Sequence, residues 1–441
     1  MFRIYTEEEA QRSLLKREAI STMRYPSSLL ERTERLFGEG VTPNLAVARI
    51  LESVRLEGDA ALRRWSKLLD RVELEDFRIP PQARQAAWDN LRPELAQAMQ
   101  TAAERIRTFH QFQPMPNWET TTLGGRLGQR ATPIERVGVY VPGGTAPLPS
   151  SLLMSVIPAQ VAGVKTIVVC TPPKPHPAIL AAAHLCGVEQ VYQLGGAQAI
   201  AAMTYGSESV PRVDKIVGAG NLFVTLAKQQ VYGVVGLDGL AGPTETLVVA
   251  DHTARAEWVA ADLLAQAEHD VLASAILLTP ERKLAEAVQA AAARQMENLS
   301  RAEIIAASLA NRSGIVVTTD IESACALANA YAAEHTCLAV ENPQALAALI
   351  PNAGGLFLGE HSFEVLGDYV AGPSHVMPTN GTARFASPLN VLDFIKITSM
   401  IALDSQTGRR LSLPAGLIAQ AEQLTAHAAA AEFRRVAMSA D

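Results

Sequence analysis

The chain has 441 residues, 48% of them hydrophobic, with a formal net charge of −7 and a pI near 5.8. A chain of this length is expected to bury more than one core, and its negative charge argues against a nucleic-acid or anionic-membrane partner. No apolar run approaches the ~20 residues that span a bilayer, and the first residues lack a signal-peptide pattern, so we expect a cytoplasmic protein.

Residues 1–111 form a segment with helical patterning. Thr6 and Glu9 have the spacing of a capping box, and Pro43 follows a threonine cap at the start of an amphipathic run. A stretch rich in Ala, Gln and Glu, with Leu and Ile at helical spacing, predicts one long helix over 81–112. The segment shows no motif that carries chemistry, and we interpret it as a scaffold or a subunit-contact layer.

Residues 112–243 alternate between apolar β-branched runs and helical patterns. Strands are predicted at 137–141, 165–170, 190–194 and 215–217. Three of these runs end in glycine turns, at Gly143-Gly144, Gly195-Gly196 and Gly218-Ala219-Gly220. This alternation is typical of parallel strands with helices on both faces of the sheet.

A second alternation occupies residues 244–372 and could be a duplicate of the first. Strands are predicted at 246–250, 273–278, 314–317, 336–340 and 355–358. Residues 373–441 are interpreted as a connection back to the first lobe and one closing helix over 414–438, which needs a partner surface. The predicted fold is therefore α/β, with two doubly wound Rossmann-like lobes of mainly parallel sheet, an N-terminal helical segment and a C-terminal helical tail.

The glycine turns at the strand ends have two interpretations. Ligands of open α/β sheets bind at the carboxyl ends of strands, where backbone amides and helix N-termini receive phosphate, so several such turns suggest a nucleotide. Glycine is also common in ordinary βα loops. The GxGxxG fingerprint, with an acidic residue about twenty positions later, is absent, so a dinucleotide would be held unconventionally.

Gln266 and His269 are a candidate pair of metal ligands. They stand three residues apart in a predicted helix that begins near Arg255, so they are expected to share one face. A carbonyl oxygen and an imidazole on adjacent turns suit zinc, but zinc needs about four ligands. Taken alone, the pair is more often a solvated helix face.

Glu334 and His335 are a candidate acid–base pair at the start of a predicted strand. A carboxylate and an imidazole at a cleft could divide two proton transfers between them. The alternative, an exposed ionisable pair in a loop, is favoured when the pair is considered alone. The four cysteines lack CxxC spacing and are expected to be reduced and mostly buried; a catalytic thiol at Cys337 is a weaker alternative.

Two further pairs contain the remaining candidates. Asp368 could supply an oxygen ligand, and His375 a substrate contact or a base that supports a ligand. Glu422 and His427 are five residues apart in the predicted closing helix, on adjoining faces. Surface placement is the simpler interpretation of that last pair.

Together these segments resemble the histidinol dehydrogenase family, zinc- and NAD-dependent enzymes of the last step of histidine biosynthesis. The motifs occur in the family's order along most of the chain. They are RVGVYVPGG (136–144), GGAQAI (195–200), VDKIVGAGN (213–221), AGPTE (241–245), LAQAEHD (264–270), EH (334–335), GDYVAGPSHVMPT (367–379), GTARF (381–385) and LTAH (424–427).

The resemblance implies a role for each candidate residue and a homodimer whose C-terminal segment completes the partner's site. It implies one zinc per subunit, with ligands Gln266, His269, Asp368 and His427. It implies that His335 removes the alcohol proton of L-histidinol and that Glu334 activates water. It implies NAD contacts at Tyr140, Gln198 and Asn221, and substrate contacts at Thr244, His375 and Glu422 in addition to the zinc ligands and His335.

The sequence departs from the family pattern without losing a ligand or a base. The departures are Ala219, Thr244, Ala333, Thr336 and Cys337. They leave open a related zinc and NAD dehydrogenase of another small alcohol, such as a sulfonated diol, although a carboxylate at Glu422 suits a cationic amino alcohol. A two-lobed binding protein and a purely structural zinc are further alternatives.

Overall fold

The computed structural model describes residues 2–17, 25, 27–143 and 147–437. The strands are β1 (Ile4–Thr6), β2 (Trp118–Thr120), β3 (Arg126–Pro133), β4 (Arg136–Tyr140), β5 (Thr166–Thr171), β6 (Gln190–Gln193), β7 (Lys215–Val217), β8 (Gly236–Leu237), β9 (Glu245–Ala250), β10 (Ser274–Thr279), β11 (Gly314–Val317), β12 (His335–Ala339), β13 (Gly355–Leu358) and β14 (Ile395–Ala402).

Helices occupy most of the remaining described chain. They are α1 (Glu7–Arg12), α2 (Ser27–Phe37), α3 (Pro43–Glu57), α4 (Asp59–Trp65), α5 (Pro81–Asp89), α6 (Pro93–Gln111), α7 (Pro149–Val161), α8 (Pro177–Leu185), α9 (Gly196–Tyr205), α10 (Leu222–Val231), α11 (Ala256–Ala267), α12 (Arg282–Met296), α13 (Ala302–Asn311), α14 (Ile321–Tyr331), α15 (Pro343–Ala347), α16 (Glu364–Tyr369), α17 (Ser405–Ala421) and α18 (Thr425–Ala437). A π-helix (Ser66–Asp70) continues α4, and 3₁₀ turns lie at Thr382–Arg384 and Val391–Phe394.

The chain divides into two compact units. The larger unit contains residues 1–112 and 135–394, and the second unit contains residues 113–134 and 395–441.

The first sheet of the larger unit has the strand order β6-β5-β4-β7-β8, and its strands are parallel. Numbered in chain order within the lobe, this is 3-2-1-4-5, so the order reverses between β4 and β7. In a doubly wound sheet, the crevice at that reversal is where a nucleotide binds. Gly143, Gly195 and Gly218 follow β4, β6 and β7, so they lie at the edge where sheets of this order bind nucleotides.

The second sheet repeats this arrangement, with the order β1-β11-β10-β9-β12-β13. Without β1, its strands also follow 3-2-1-4-5 and are parallel. β1 comes from the N-terminal segment and extends the sheet beside β11, an addition that the sequence analysis did not predict. The prediction of two doubly wound lobes with mainly parallel sheets is confirmed.

The central strand β9 shows why this sheet needs helices on both faces. Val248 and Ala250 pack into one buried cluster, while Leu247 and Val249 pack into another. Successive side chains of a strand point to opposite faces, so a continuous apolar run is buried only if both faces are covered.

The predicted single helix over 81–112 is wrong. The structure has two helices, α5 and α6, separated at residues 90–92. Arg92 is extended, with φ −60° and ψ 137°, and Pro93 is the first residue of α6. A proline disfavours helical backbone in the residue before it but suits the first position of a helix, so Pro93 begins a second helix.

The second unit contains an antiparallel sheet, β14-β3-β2, and the two C-terminal helices. Neither this sheet nor the break in the closing helix was predicted from the sequence. The predicted single helix over 414–438 is wrong because Gln423 adopts a left-handed conformation, with φ 60°, between α17 and α18. The division into 1–111, 112–243, 244–372 and 373–441 stays a prediction; in the structure 113–134 belong to the second unit.

Three smaller predictions from the sequence concern a helix cap, the cysteines and membrane-spanning helices. The Thr6–Glu9 capping box is present, and all four cysteines are buried free thiols, as expected. Among the described helices, none combines the length and apolarity needed to cross a membrane. Gly144 of the first glycine turn and Met438 of the predicted closing helix lie outside the described residues.

Candidate functional site

The candidate acid–base pair lies at the amino ends of two central strands of the second sheet. His335 is the first residue of β12, Glu334 precedes it, and Thr244 precedes β9. β12 pairs with β9 in parallel register, with His335 opposite Thr246. Glu334 and His335 are 7% and 3% exposed, so the alternative of an exposed loop pair does not describe them.

Glu334 is held by two donors. Thr244 Oγ1 donates to Glu334 Oε2 at 2.5 Å, and the backbone N–H of Glu245 donates to the same oxygen at 3.1 Å. Burial raises the pKa of Glu334 to about 7, although the charge of His335 opposes this shift. A carboxyl group with this pKa can exchange a proton near neutral pH.

His335 has carboxylates on both sides of its ring: those of Glu334 and Glu364 lie near Nδ1, and that of Asp368 lies near Nε2. Its Nδ1 is 3.2 Å from the carbonyl oxygen of Glu245, and its Nε2 is 3.5 Å from Asp368 Oδ1. Burial by itself lowers the pKa of His335, but the nearby carboxylates, first those of Glu364 and Glu334, outweigh it and raise that pKa well above the usual value. Nε2 is buried without a hydrogen-bond partner among the described residues. The backbone contact at Nδ1 therefore leaves Nε2 as the atom that can act on a ligand.

Asp368 and His375 complete this side of the site. Asp368 lies on α16, and His335 lowers its pKa even though burial opposes the shift. His375 Nδ1 is 2.8 Å from the backbone oxygen of Asp368, and its Nε2 is 3.1 Å from Ser151 Oγ. Ser151 lies in the first turn of α7, which follows β4 at the carboxyl edge of the first sheet. The carboxyl edge of one lobe thus meets the amino edge of the other at this site.

Glu364 is a site residue that the sequence analysis missed. It is 1% exposed, accepts a hydrogen bond from Thr246 Oγ1, and lies 4.0 Å from His335 Nδ1. Burial raises its pKa to about 8. His335, Glu364 and Asp368 each offer a ligand atom within 4.8 Å of the others, a grouping that could hold a metal ion. The available signal was its position four residues before Asp368, which places both on one helix face.

Gln266 is positioned as a potential ligand. It lies on α11, which begins after Arg255 as predicted, and its Nε2 donates to Thr244 Oγ1 at 2.7 Å. Gln266 Oε1 is buried and has no hydrogen-bond partner among the described residues. His269 lies beyond the end of α11 and is exposed, so the prediction that both residues lie on one helix face is wrong.

Glu422 and His427 lie in the second unit. Glu422 is the C-terminal cap of α17, His427 is on α18, and both are exposed. The prediction that they share one helix is wrong, because the turn at Gln423 separates them. In the larger unit, the structure brings candidate residues together around Glu334 and His335. Glu422 and His427 belong to the second unit and are described by themselves.

The three predicted nucleotide contacts lie at the carboxyl ends of strands: Tyr140 is the last residue of β4, and Gln198 and Asn221 follow β6 and β7. Tyr140 OH accepts a hydrogen bond from the backbone N–H of Gly196 at 3.1 Å, and burial raises the pKa of Tyr140 to about 12. Gln198 lies in the first turn of α9, so it shares the end of β6 with this contact. Asn221 caps α10, accepting from the backbone N–H groups of residues 223 and 224, and its side-chain amide N–H groups are left for other partners.

A buried ion pair that the sequence analysis missed holds the glycine turn after β7. Lys228 Nζ is 2.5 Å from Asp238 Oδ1 and donates to the carbonyl oxygen of Gly218 at 3.0 Å. Asp238 Oδ2 accepts from the N–H of Gly218 at 2.7 Å. Both backbone groups of Gly218 are therefore fixed by one ion pair beneath the turn that leads to Asn221.

Comparisons with known proteins identify close relatives along nearly the whole chain. The histidinol dehydrogenase family model matches residues 39–435. The chain is 50% identical over 389 residues to a histidinol dehydrogenase of Thermus thermophilus, covering 88% of this chain and 94% of that protein. It is 49% identical over 432 residues to one of Deinococcus radiodurans, covering 97% and 98%. A crystal structure of histidinol dehydrogenase from Elizabethkingia anophelis is similar with a TM-score of 0.90 at 37% identity, covering 99% of each chain.

Proposed function

The chain belongs to the histidinol dehydrogenase family, as an NAD-dependent oxidoreductase of that type, and from this premise we propose that it oxidises L-histidinol to L-histidine. The reaction would pass through L-histidinaldehyde, consume two NAD and form the last step of histidine biosynthesis in the cytoplasm. The observation that carries the proposal is the buried pair of Glu334 and His335. The two residues are adjacent, but burial raises the pKa of Glu334, whereas neighbouring carboxylates raise the pKa of His335 against the effect of burial.

His335 is proposed as the base that removes the alcohol proton. Its Nδ1 is directed to a backbone carbonyl, so Nε2 is the atom that would take the proton. Burial lowers its pKa but the nearby carboxylates raise it further, so the base is the neutral form of the imidazole, whose high proton affinity suits removal of a proton from a weakly acidic alcohol. A hydride would then leave the same carbon for NAD, and the alcohol would become an aldehyde.

Glu334 is proposed as the base for the second oxidation. Water must add to the aldehyde before a second hydride can leave, and a carboxylate that takes a proton from this water accelerates the addition. The pKa of about 7 leaves part of Glu334 in the basic form near neutral pH. Thr244 and the backbone of Glu245 hold the carboxylate in place through the donated hydrogen bonds described above.

Gln266, His269, Asp368 and His427 are proposed to hold one zinc ion per subunit. The residues fit the ion: Gln266 Oε1 is a buried oxygen without a partner, and the lowered pKa of Asp368 keeps it ionised. When bound, zinc would supply Lewis-acid contacts for the amino and imidazole nitrogens of histidinol. Thr244, His375 and Glu422 are proposed to contact the substrate beside these ligands and His335.

Metal content distinguishes this ligand set from the group of His335, Glu364 and Asp368. Under the proposed set, His335→Asn should retain zinc and lose about 10²–10⁴ in turnover, as expected for a missing base. Under the other grouping, the same variant should lose the metal as well. Gln266→Ala gives the opposite contrast. It should weaken zinc binding under the proposed set, which contains Gln266, and leave zinc binding unchanged under the other grouping.

We also propose a homodimer in which the C-terminal segment of each chain completes the partner's site. Support comes from the second unit, where His427 and Glu422 are exposed together with large apolar side chains such as Leu417, Ile418 and Phe433. Mixing His335→Asn with His427→Ala subunits tests the proposal. Exchange would leave one intact site in each mixed dimer and restore activity, whereas sites built from one chain would all stay defective.

The first experiment is the ratio of NADH formed to L-histidinol consumed, with NAD in excess and zinc supplied. A ratio of two, lost with a chelator and with His335→Asn, is the expected result. A ratio of one would mean that the reaction stops at the aldehyde. No turnover would overturn histidinol as the substrate and direct attention to the substrate contacts Thr244 and Glu422.

A further inference from the structure

The side chain of Gln198 contains a buried acceptor without a partner at the nucleotide-binding edge of the first sheet. Gln198 is 1% exposed, and its Oε1 has no hydrogen-bond partner among the described residues. A Cβ added at Gly196 would lie 2.9 Å from this oxygen, so only glycine leaves the space beside it open. A buried carbonyl oxygen is costly when it is left unpaired, which points to a donor supplied by a ligand.

Asp70, from the N-terminal segment, lies against the same side chain. Its Oδ2 accepts a hydrogen bond from Gln198 Nε2 at 3.0 Å, and its Oδ1 lies outside that bond. Burial raises the pKa of Asp70 to about 6, although the hydrogen bond from Gln198 opposes this shift. The carboxylate is therefore charged at neutral pH but poorly solvated, and a second donor would stabilise it.

The backbone after Asp70 fixes this position. The chain runs along the free edge of β6, where the N–H of Ile79 donates to Val191 O at 2.8 Å and the N–H of Gln193 donates to Phe77 O at 2.8 Å. These bonds hold the segment against the third strand of the lobe. The N-terminal segment, interpreted from sequence as a scaffold, thus brings a carboxylate to the predicted cofactor edge.

The strand order indicates which part of a dinucleotide reaches this place. In a 3-2-1-4-5 sheet, the adenosine half lies over strands 1 to 3, and an acidic residue near the end of the second strand holds its ribose hydroxyl. Here the second strand, β5, ends at Thr171, a buried neutral residue whose Oγ1 is also without a partner among the described residues. The fingerprint acid is missing from its usual place, and Asp70 supplies a carboxylate one strand away.

We propose that Asp70 accepts a hydrogen bond from a ribose hydroxyl of the adenosine half of NAD and thereby makes the enzyme prefer NAD to NADP. The proposal rests on the proposed cofactor contact at Gln198. Asp70 holds the amide of Gln198 through Nε2, so that Oε1 faces the ligand. The same negative charge repels the additional phosphate that NADP carries on this ribose.

The test compares Asp70→Asn with the unaltered enzyme in histidinol oxidation with NAD and with NADP. Asparagine keeps an oxygen for Gln198 Nε2 but removes the charge. We expect the ratio of kcat/KM for NADP to that for NAD to rise by about tenfold or more, as the loss of one charged contact predicts. The KM for histidinol and the zinc content should stay unchanged, and the melting temperature should not fall, because the variant removes a poorly solvated charge.

A matched control is Asp89→Asn. Asp89 also accepts from a glutamine, Gln85 Nε2 at 2.8 Å, but at an exposed position of α5, where Trp88 packs on His184 near the C-terminal end of α8, away from the cofactor edge. It should leave both cofactors' kinetics unchanged. A purely structural role of Asp70 would instead lower the melting temperature and reduce kcat with both cofactors equally.

Gln198→Ala separates failure of this proposal from failure of the proposed cofactor site. If Gln198→Ala raises the KM for NAD while Asp70→Asn leaves the cofactor preference unchanged, the role of Asp70 is overturned and the contact at Gln198 stands. If neither variant changes the KM for NAD or the preference, the assignment of this edge to the cofactor is overturned too. A shift in preference with Asp70→Asn supports the proposal.

Discussion

Thr244 Oγ1 lies 2.5 Å from Glu334 Oε2 and 2.7 Å from Gln266 Nε2, so one hydroxyl joins the proposed base to a proposed zinc ligand. The hydroxyl has one proton, which it donates to the carboxylate, and it accepts from the amide with a lone pair. This arrangement turns the amide nitrogen of Gln266 toward Thr244 and leaves Oε1 for a metal. Both contacts need only a hydroxyl at this position, so Thr244 can make them although it departs from the family pattern.

Thr244→Ala should reduce zinc affinity and kcat by roughly 10–100-fold, the usual effect of removing a group that orients a ligand. Thr244→Ser keeps the hydroxyl and should stay close to the unaltered enzyme. Zinc affinity is measured by competition with a chelator, and kcat with zinc in excess. Equal behaviour of the two variants would show that the hydroxyl has no such role.

Lys228→Met should destabilise the protein by about 3–5 kcal/mol, because it leaves the carboxylate of Asp238 buried and unpaired. The double variant Lys228→Met with Asp238→Asn should recover part of that loss, since the asparagine oxygen can still accept from the N–H of Gly218. Urea unfolding of the three proteins measures the difference. A single variant as stable as the unaltered protein would contradict the role of the ion pair.

Gly218→Ala should disrupt the turn before Asn221. Gly218 has φ +105°, and a Cβ would clash with the backbone oxygen of Tyr140, so we expect a loss of roughly 1–3 kcal/mol in stability and weaker NAD binding. Gly239→Ala is the control, because no atom lies within 4 Å of its added Cβ. Thermal unfolding and the KM for NAD distinguish the variants. If both substitutions were tolerated equally, the turn would not require glycine.

Asp262→Asn should stabilise the protein above pH 6 and have little effect near pH 4. Burial, and then the charge of Glu360, raise the pKa of Asp262 to about 6. Its unfolded value is about 3.9, so the folded state binds the proton more tightly and stability falls as pH rises through this window. Removing the charge should add roughly 1–2 kcal/mol at pH 8. Urea unfolding at pH 4, 6 and 8 gives the difference, and a gain that did not depend on pH would contradict this explanation.

The helix breaks show where local pattern was insufficient. Alanine and glutamine are favourable on both sides of residues 90–92 and 422–424, so periodicity continues across each break. Pro93 is visible in the sequence and predicts a helix boundary. No glycine or proline marks the break at Gln423, although its backbone is left-handed. β1 and the β14-β3-β2 sheet were missed because each depends on a pairing between segments far apart in the chain: β1 pairs with β11, and β14 pairs with β3.

The candidate site was predicted unevenly for a similar reason. Glu334, His335 and Asp368 were identified from adjacent polar residues and the family resemblance, and the structure places them close together. Asp70 and Glu364 stood in segments without a motif, and their importance depends on which side chains they meet. Position in the sequence alone does not indicate that a carboxylate will be buried beside an imidazole.

By itself the sequence determined the fold class, since the alternation of apolar strands and amphipathic helices is a local property that requires parallel sheets covered on both faces. The tertiary structure alone decided which candidate side chains lie next to one another and what their pKa values are. It placed Glu334 and His335 at the amino edge of one sheet, and it brought Ser151, from the carboxyl edge of the other, to His375 beside Asp368. It also buried Glu334 and thereby raised its pKa to about 7, because desolvation depends on neighbours that only the folded chain assembles.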